Sequence, residues 1–367
     1  MRLLAPLCLV LLPTLAPAQR TLGQLQADFA RRSQQLDQRQ PTREQRLELL
    51  AQQSGELEQF VRGEAKGDDR WNGQLMLADL QLARGDRKAA AQALQQIDAE
   101  AAGGLLLTSA AAMAQHLNLK DLRERFVGAA MTKEAPLTDR LAMARLLSTV
   151  LREVERGEAM FATALAAATD DEQRALVRWH RADGLRDRED LGDNAGFEEL
   201  EKLAKELPKT YWGSVAADRL RATQLKPGDA AIPFAATARS GAKVSLEALR
   251  GKAVVLVFWS AADRDLPGLL EVLRKAQQQR GDALAVVGVC LDRDPAAIDA
   301  AIKANQIGFP VVGDGKGIET DVALRWFVEG PTVHVLDGEG KVRALGLHAG
   351  TQDARQQLGE ALGLGTK

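Results

Sequence analysis

Gly251-Lys252-Ala253-Val254-Val255-Leu256-Val257-Phe258-Trp259-Ser260 decides the fold of the C-terminal half. Six apolar residues, Val254 to Trp259, run without a polar break. A run this short, rich in β-branched residues and opened by Gly-Lys, predicts a strand buried on both faces, the centre of a sheet covered by helices. Ala261-Ala262-Asp263-Arg264-Asp265-Leu266-Pro267 follows, and then the helical spacing of Leu269, Leu270 and Leu273. The strand therefore hands the chain to a helix at the carboxyl edge of the sheet, where α/β folds gather their functional groups.

Working outward, a hairpin is predicted from Phe234–Ala238, the turn Ser240-Gly241 and Lys243–Leu246. Ala283 to Leu291 reads as a second buried strand, followed by Asp292-Arg293-Asp294-Pro295. Asp294 and Pro295 form an N-cap and N1 pair for a helix over 295–304. Pro310-Val311-Val312 is a further short strand, 318–326 a short helix, and Gly330-Pro331-Thr332 a turn. Val333–Leu336 and Lys341–Leu347 close a hairpin around Asp337-Gly338-Glu339-Gly340, and a last helix spans about 351–362.

In this order, from Ile232 to Leu347, these elements resemble the thioredoxin-like redoxins: TlpA/ResA-type exported thiol oxidoreductases and their peroxiredoxin (AhpC/TSA) relatives. The resemblance implies a thioredoxin-like fold, a cis-proline turn at Gly330, Pro331 and Thr332 able to pair with an extended peptide, and a Cys-x-x-Cys after Phe258-Trp259. The chain holds two cysteines, Cys8 and Cys290, and no such motif. Aligned without gaps, Asp263 and Leu266 occupy the two cysteine positions; aligned on Asp265-Leu266-Pro267, the whole redox turn is missing. Dithiol exchange needs a low-pKa thiolate and a resolving sulfur, and neither alignment supplies them.

Residues 19–226 read as helices throughout. Leu22, Leu25, Phe29 and Leu36 share one face, and Thr42 with Gln45 makes a capping box. The unit Trp71–Ala83, Gly85-Asp86, Lys88–Ala99 resembles a tetratricopeptide repeat, with Ala78, Ala90 and Leu94 at its packing positions. Further helices are expected at 105–116, 119–130, 138–155, 158–168, 171–186, 195–206 and 211–222, with Gly157 among the residues that separate them. Lys226-Pro227-Gly228-Asp229 marks the change from helical to two-residue periodicity. The expected organisation is a signal peptide (1–18), an all-α helical-repeat domain of α-solenoid type (19–226) and an α/β thioredoxin-like domain (229–367).

Met1-Arg2, the apolar run Leu3–Leu12 and Ala16-Pro17-Ala18 carry the signal pattern, with cleavage expected after Ala18. The run is too short to span a bilayer, so membrane contact is expected only if it stays uncleaved. The protein is expected to be exported, to the periplasm or cell envelope or as a secreted protein. A formal charge of −2 argues against nucleic acid and anionic membrane surfaces as partners.

Other candidates are weaker. Asp263, Asp265, Asp292 and Asp294 should share one sheet edge, where carboxylates can hold a hard cation. The preferred reading makes Asp263 and Asp294 helix caps and lets Arg264 and Arg293 neutralise the rest. No metal or cofactor is expected. Cys290 is a catalytic candidate only as a lone thiol, and a buried free cysteine ordinarily behaves as a small hydrophobe. His334 and His348 are expected in structural roles, His116 and His180 on solvated helix faces, and Trp259 and Trp326 in the core. The sequence thus favours an exported binding or assembly module, its partner another exported protein or a peptide. The alternative is a thiol oxidoreductase or peroxiredoxin-like enzyme acting through Cys290.

Overall fold

The computed structural model describes residues 20–37, 39–63, 65–188, 190–192, 194–348 and 352–363. The signal pattern at 1–18 lies outside them. The chain divides into two compact units, Met1–Ala167 and Ala168–Lys367.

The first unit is all-helical. Its helices are α1 (Leu22–Asp37), α2 (Arg43–Gly63), α3 (Asp68–Ala83), α4 (Arg87–Gln95), α5 (Gly104–His116), α6 (Lys120–Met131), α7 (Leu137–Thr149) and α8 (Val154–Ala166). Neighbours pack in sequence order, α3 on α4, α5 on α6 and α7 on α8, so each pair buries the apolar stripe its partner needs. The Thr42–Gln45 capping box closes with both hydrogen bonds, Thr42 N–H to Gln45 Oε1 at 2.9 Å and Gln45 N–H to Thr42 Oγ1 at 3.2 Å. Ala78, Ala90 and Leu94 are fully buried where α3 meets α4.

One helix boundary differs from expectation. α7 stops at Thr149 and α8 starts at Val154, with Arg152 at φ 58° between them. Gly157 lies inside α8 rather than between helices. A Cβ there would stand 2.0 Å from Ser148 Oγ and 2.7 Å from the Ala144 carbonyl oxygen. The glycine lets two helices approach closely and breaks neither.

The second unit begins with three more helices, α9 (Asp171–Arg186), α10 (Ala195–Glu206) and α11 (Tyr211–Ala222). They share a small core with Trp179, Leu200, Leu203 and Val215, and the rings of Trp179 and Trp212 lie 4.8 Å apart. The change of periodicity at 226–229 comes after them, yet these helices group with the α/β part. Arg325 of the α/β part binds Asp218 at 2.8 Å, the Tyr211 hydroxyl donates to Asp321 at 2.8 Å, and Arg186 pairs with Glu329.

The α/β part contains β1 (Ala235–Thr237), β2 (Lys243–Ser245), β3 (Ala253–Trp259), α12 (Leu266–Arg280), β4 (Leu284–Cys290), α13 (Pro295–Ala304), β5 (Val311–Val312), α14 (Asp321–Arg325), β6 (Thr332–Leu336), β7 (Val342–Leu347) and α15 (Gln352–Ala361). β1 and β2 form a separate antiparallel hairpin. The main sheet has the order β5-β4-β3-β6-β7. β3 is parallel to β4 and antiparallel to β6. This is the thioredoxin-like α/β arrangement that the resemblance implies.

As its apolar run predicts, β3 is central and every residue in it is buried. Val255, Val257 and Trp259 face a core built with Leu269, Leu270 and Leu273 of α12 and Leu358 of α15. Val254, Leu256 and Phe258 face the opposite core, with Val322 and Trp326. Each such side chain contributes about 1.5–3 kcal/mol on burial, so the strand anchors both layers. Among the described residues, no helix is long and apolar enough to cross a membrane.

Candidate functional site

The carboxyl ends of β3 and β4 lie side by side, with Trp259 opposite Cys290. Phe258 pairs with Thr332 across β3 and β6, which brings Pro331 to the same edge. The sheet therefore gathers the 260–265 loop, Cys290, Asp292 and Pro331.

Asp292 is the hub of this edge. It accepts hydrogen bonds from the Ser260 hydroxyl at 2.7 Å and the Ala261 N–H at 2.7 Å. The Cys290 thiol donates to it at 3.2 Å. One carboxylate thus fastens the turn after β3 to the end of β4. Charge-assisted bonds of this kind are roughly twice as strong as neutral ones. The sequence reading treats Asp292 as one member of a neutralised acidic group and misses this role. A carboxylate two residues beyond a buried strand, facing a Ser that follows the adjacent strand, is the signal that could have shown it.

The other aspartates do different work. Asp294 caps α13, accepting the Ala296 N–H at 2.9 Å, as expected. Asp263 does not cap α12. Its side chain accepts the Asp265 N–H at 2.9 Å within the loop, and the helix starts at Leu266. Local turn bonding of this sort competes with capping for short acidic side chains. Arg293 pairs with Glu319 at 3.6 Å instead of with the aspartates. Among the described residues, no three His, Cys, Asp or Glu side chains converge as metal ligands would.

At the positions where the ungapped alignment puts the family's cysteines, Asp263 is half-buried and Leu266 is packed in the α12 core. The only described thiol, Cys290, is 0% exposed. Burial pushes it up to about 12, and the adjacent Asp292 carboxylate helps hold its proton. A nucleophilic cysteine needs the opposite environment.

The proline turn departs from the resemblance. Among the described residues there is no cis peptide bond, so Gly330–Pro331 is trans. Trans is the form an X–Pro bond prefers by about 0.5–1 kcal/mol when nothing local selects the other. Pro331 is exposed, and its carbonyl oxygen lies 3.3 Å from His348 Nδ1.

His334 takes a structural position of some consequence. It is buried in β6, stacked on Trp326 with ring centroids 5.2 Å apart and edge-on to Phe258 at 5.6 Å. Its Nδ1 accepts the Gly346 N–H at 3.0 Å. Burial lowers it to about 4, against a weaker opposing backbone hydrogen bond at Val333. The ring is therefore neutral near pH 7, with its proton on Nε2. Trp259 is buried, as expected, and its indole nitrogen lies so near Gly288 that a Cβ there would stand 3.1 Å from it. His116 is exposed, as expected, whereas His180 is half-buried beside Trp212.

The topology agrees with a sequence comparison. Residues 227–345 match the AhpC/TSA family. The match starts where helical periodicity ends. A curated relative, the thioredoxin-like protein YneN of Bacillus subtilis, is 27% identical over 150 residues, 40% of this chain and 85% of that protein. The thioredoxin domain of a thiol-disulfide oxidoreductase from Bacteroides vulgatus is 25% identical, covering 38% of this chain and 99% of its own, with a TM-score of 0.33. A thiol-disulfide oxidoreductase from Bacteroides fragilis is also 25% identical, covering 36% and 98%, with a TM-score of 0.32. On the family match and the sheet topology, residues 227–345 form an AhpC/TSA-type thioredoxin-like domain, preceded by helices.

Proposed function

We propose that this protein is exported and that its AhpC/TSA-type domain serves in binding or assembly rather than in dithiol exchange, with another exported protein or a peptide as partner. One observation carries the reading: the only described thiol is sealed in β4 with its proton held by Asp292, while Asp263 and Leu266 stand at the positions the ungapped alignment gives to the redox cysteines. Fold alone does not assign activity; the chemistry of the edge does. Support for export comes from the signal pattern at 1–18. The preceding helices, with their tetratricopeptide-like pairing, add surface to the binding module, and the exposed turn at Gly330, Pro331 and Thr332 is available to an extended segment.

Insulin reduction and peroxide consumption, measured on the parent and on Cys290→Ser, test this. Neither protein should exceed the rate of the reductant alone. A parent activity that disappears on substitution would restore the oxidoreductase reading through Cys290.

A further inference from the structure

On the face of the sheet opposite α12, a cavity of about 530 Å³ opens beside β6 and β7. Its size suits a small organic molecule. Leu225, Val328 and Leu345 form apolar walls, Trp326, Thr332 and His334 supply its buried polar groups, and Glu329 and His348 also line it. Trp326, Thr332 and His334 are each more than nine-tenths buried. The Trp326 indole N–H and the Thr332 hydroxyl have no hydrogen-bond partner. His334 spends Nδ1 on Gly346, which leaves its Nε2–H as a further donor. Leaving the Trp326 and Thr332 groups unmet costs about 1–3 kcal/mol each, so the two together mark a place where a ligand oxygen has something to offer.

We propose that this cavity binds a small uncharged molecule bearing a carbonyl oxygen on a compact apolar body. The charge follows from the wall. No Lys or Arg lines the cavity, its one acidic residue, Glu329, is already paired with Arg186, and the exposed His348 at its rim has Nδ1 against the Pro331 carbonyl oxygen. A carboxylate would be desolvated there without a counter-charge, and an ammonium would compete with Arg186. A carbonyl accepts from the donors present and leaves no charge behind. The cavity borders the Gly330–Thr332 turn of the binding-module reading but includes neither Cys290 nor Asp292.

Acetanilide is a suitable probe and phenylacetate its charged counterpart of similar size. Titrations at pH 7.5, followed by calorimetry and by saturation-transfer NMR on the full chain, should show acetanilide binding at least tenfold tighter than phenylacetate. His334→Phe keeps the ring stack and removes the donor; it should weaken acetanilide about tenfold, the loss of one hydrogen bond. Leu225→Trp fills the cavity without touching a polar group and should abolish binding while the protein remains folded. The proposal is overturned by equal binding of phenylacetate, by an unchanged affinity in either variant, or by no acetanilide binding up to about 10 mM, weaker than the millimolar end of ordinary affinities. Insulin reduction plays no part in these readouts, so this site and the reading of Cys290 fail separately.

Discussion

Asp292 shows how one side chain can organise the edge at which two neighbouring strands end. Its carboxylate collects a hydroxyl, an amide and a thiol from two strand ends. Asp292→Asn removes the charge and turns one acceptor into a donor, leaving at least one of these partners unmet. The denaturation midpoint should fall by the equivalent of about 1–3 kcal/mol, and Cys290 should then titrate lower while staying above an ordinary thiol, because burial is the larger cause. Chemical denaturation and ultraviolet thiolate absorbance read these two effects. For the parent, the linkage sign is set by the raised native pKa. The unfolded thiol ionises near 9 and the native one near 12, so stability attributable to Cys290 falls as pH rises through that window. Cys290→Ser should flatten that part of the pH profile. His334 works in the other direction. Its native pKa is depressed to about 4, so the unfolded state takes up a proton first and stability falls as pH drops from about 6.5 towards 4. The contribution is up to about 3 kcal/mol, measured as the difference in pH profile between the parent and His334→Phe.

At the scale of elements, the sequence is most informative where one pattern has one outcome. The unbroken run Val254–Trp259 can be satisfied only by burial on two sides, and β3 is the central strand. Asp294-Pro295 starts a helix because cap and fixed φ agree. The boundary between α7 and α8 was not legible, because a glycine that permits a close crossing and a glycine that ends a helix look alike in one dimension. Gly157→Ala tests the distinction. The new methyl would overlap Ser148 and the Ala144 carbonyl, and overpacking of that kind costs about 1–3 kcal/mol. A glycine acting only as a breaker would instead give a neutral or stabilising change in thermal unfolding. The Trp326–His334 stack was also hidden. The Val-His-Val context marks the histidine as buried, but nothing in the sequence pairs it with a tryptophan eight positions earlier across a turn.

For the whole molecule, the change of hydrophobic period and the division into compact units fall at different places. Periodicity changes at 226–229, yet α9, α10 and α11 join the α/β part. The reason lies in contacts that cross the change. Phe327, at φ 52°, is flanked by the guanidinium groups of Arg186 at 4.8 Å and Arg219 at 4.5 Å, with Phe197 edge-on at 5.8 Å. Such pairings depend on side chains more than a hundred positions apart and leave no local trace. A fragment covering 168–367 should therefore unfold in one cooperative transition. A fragment covering 227–367 should melt lower and bind a hydrophobic dye, since Trp326 and Phe327 lose their cover. Differential scanning calorimetry with dye fluorescence compares the two.

The seclusion of Cys290 also bears on how the protein can be studied. A sulfhydryl with no exposed surface is shielded from reagents in the native fold, so in protein prepared without residues 1–18, and hence without Cys8, the described surface has no competing attachment point. A single cysteine introduced at an exposed site such as Ser240 or Lys303 would then take a dye or spin label selectively, so distances and motions could be followed without first removing the native thiol.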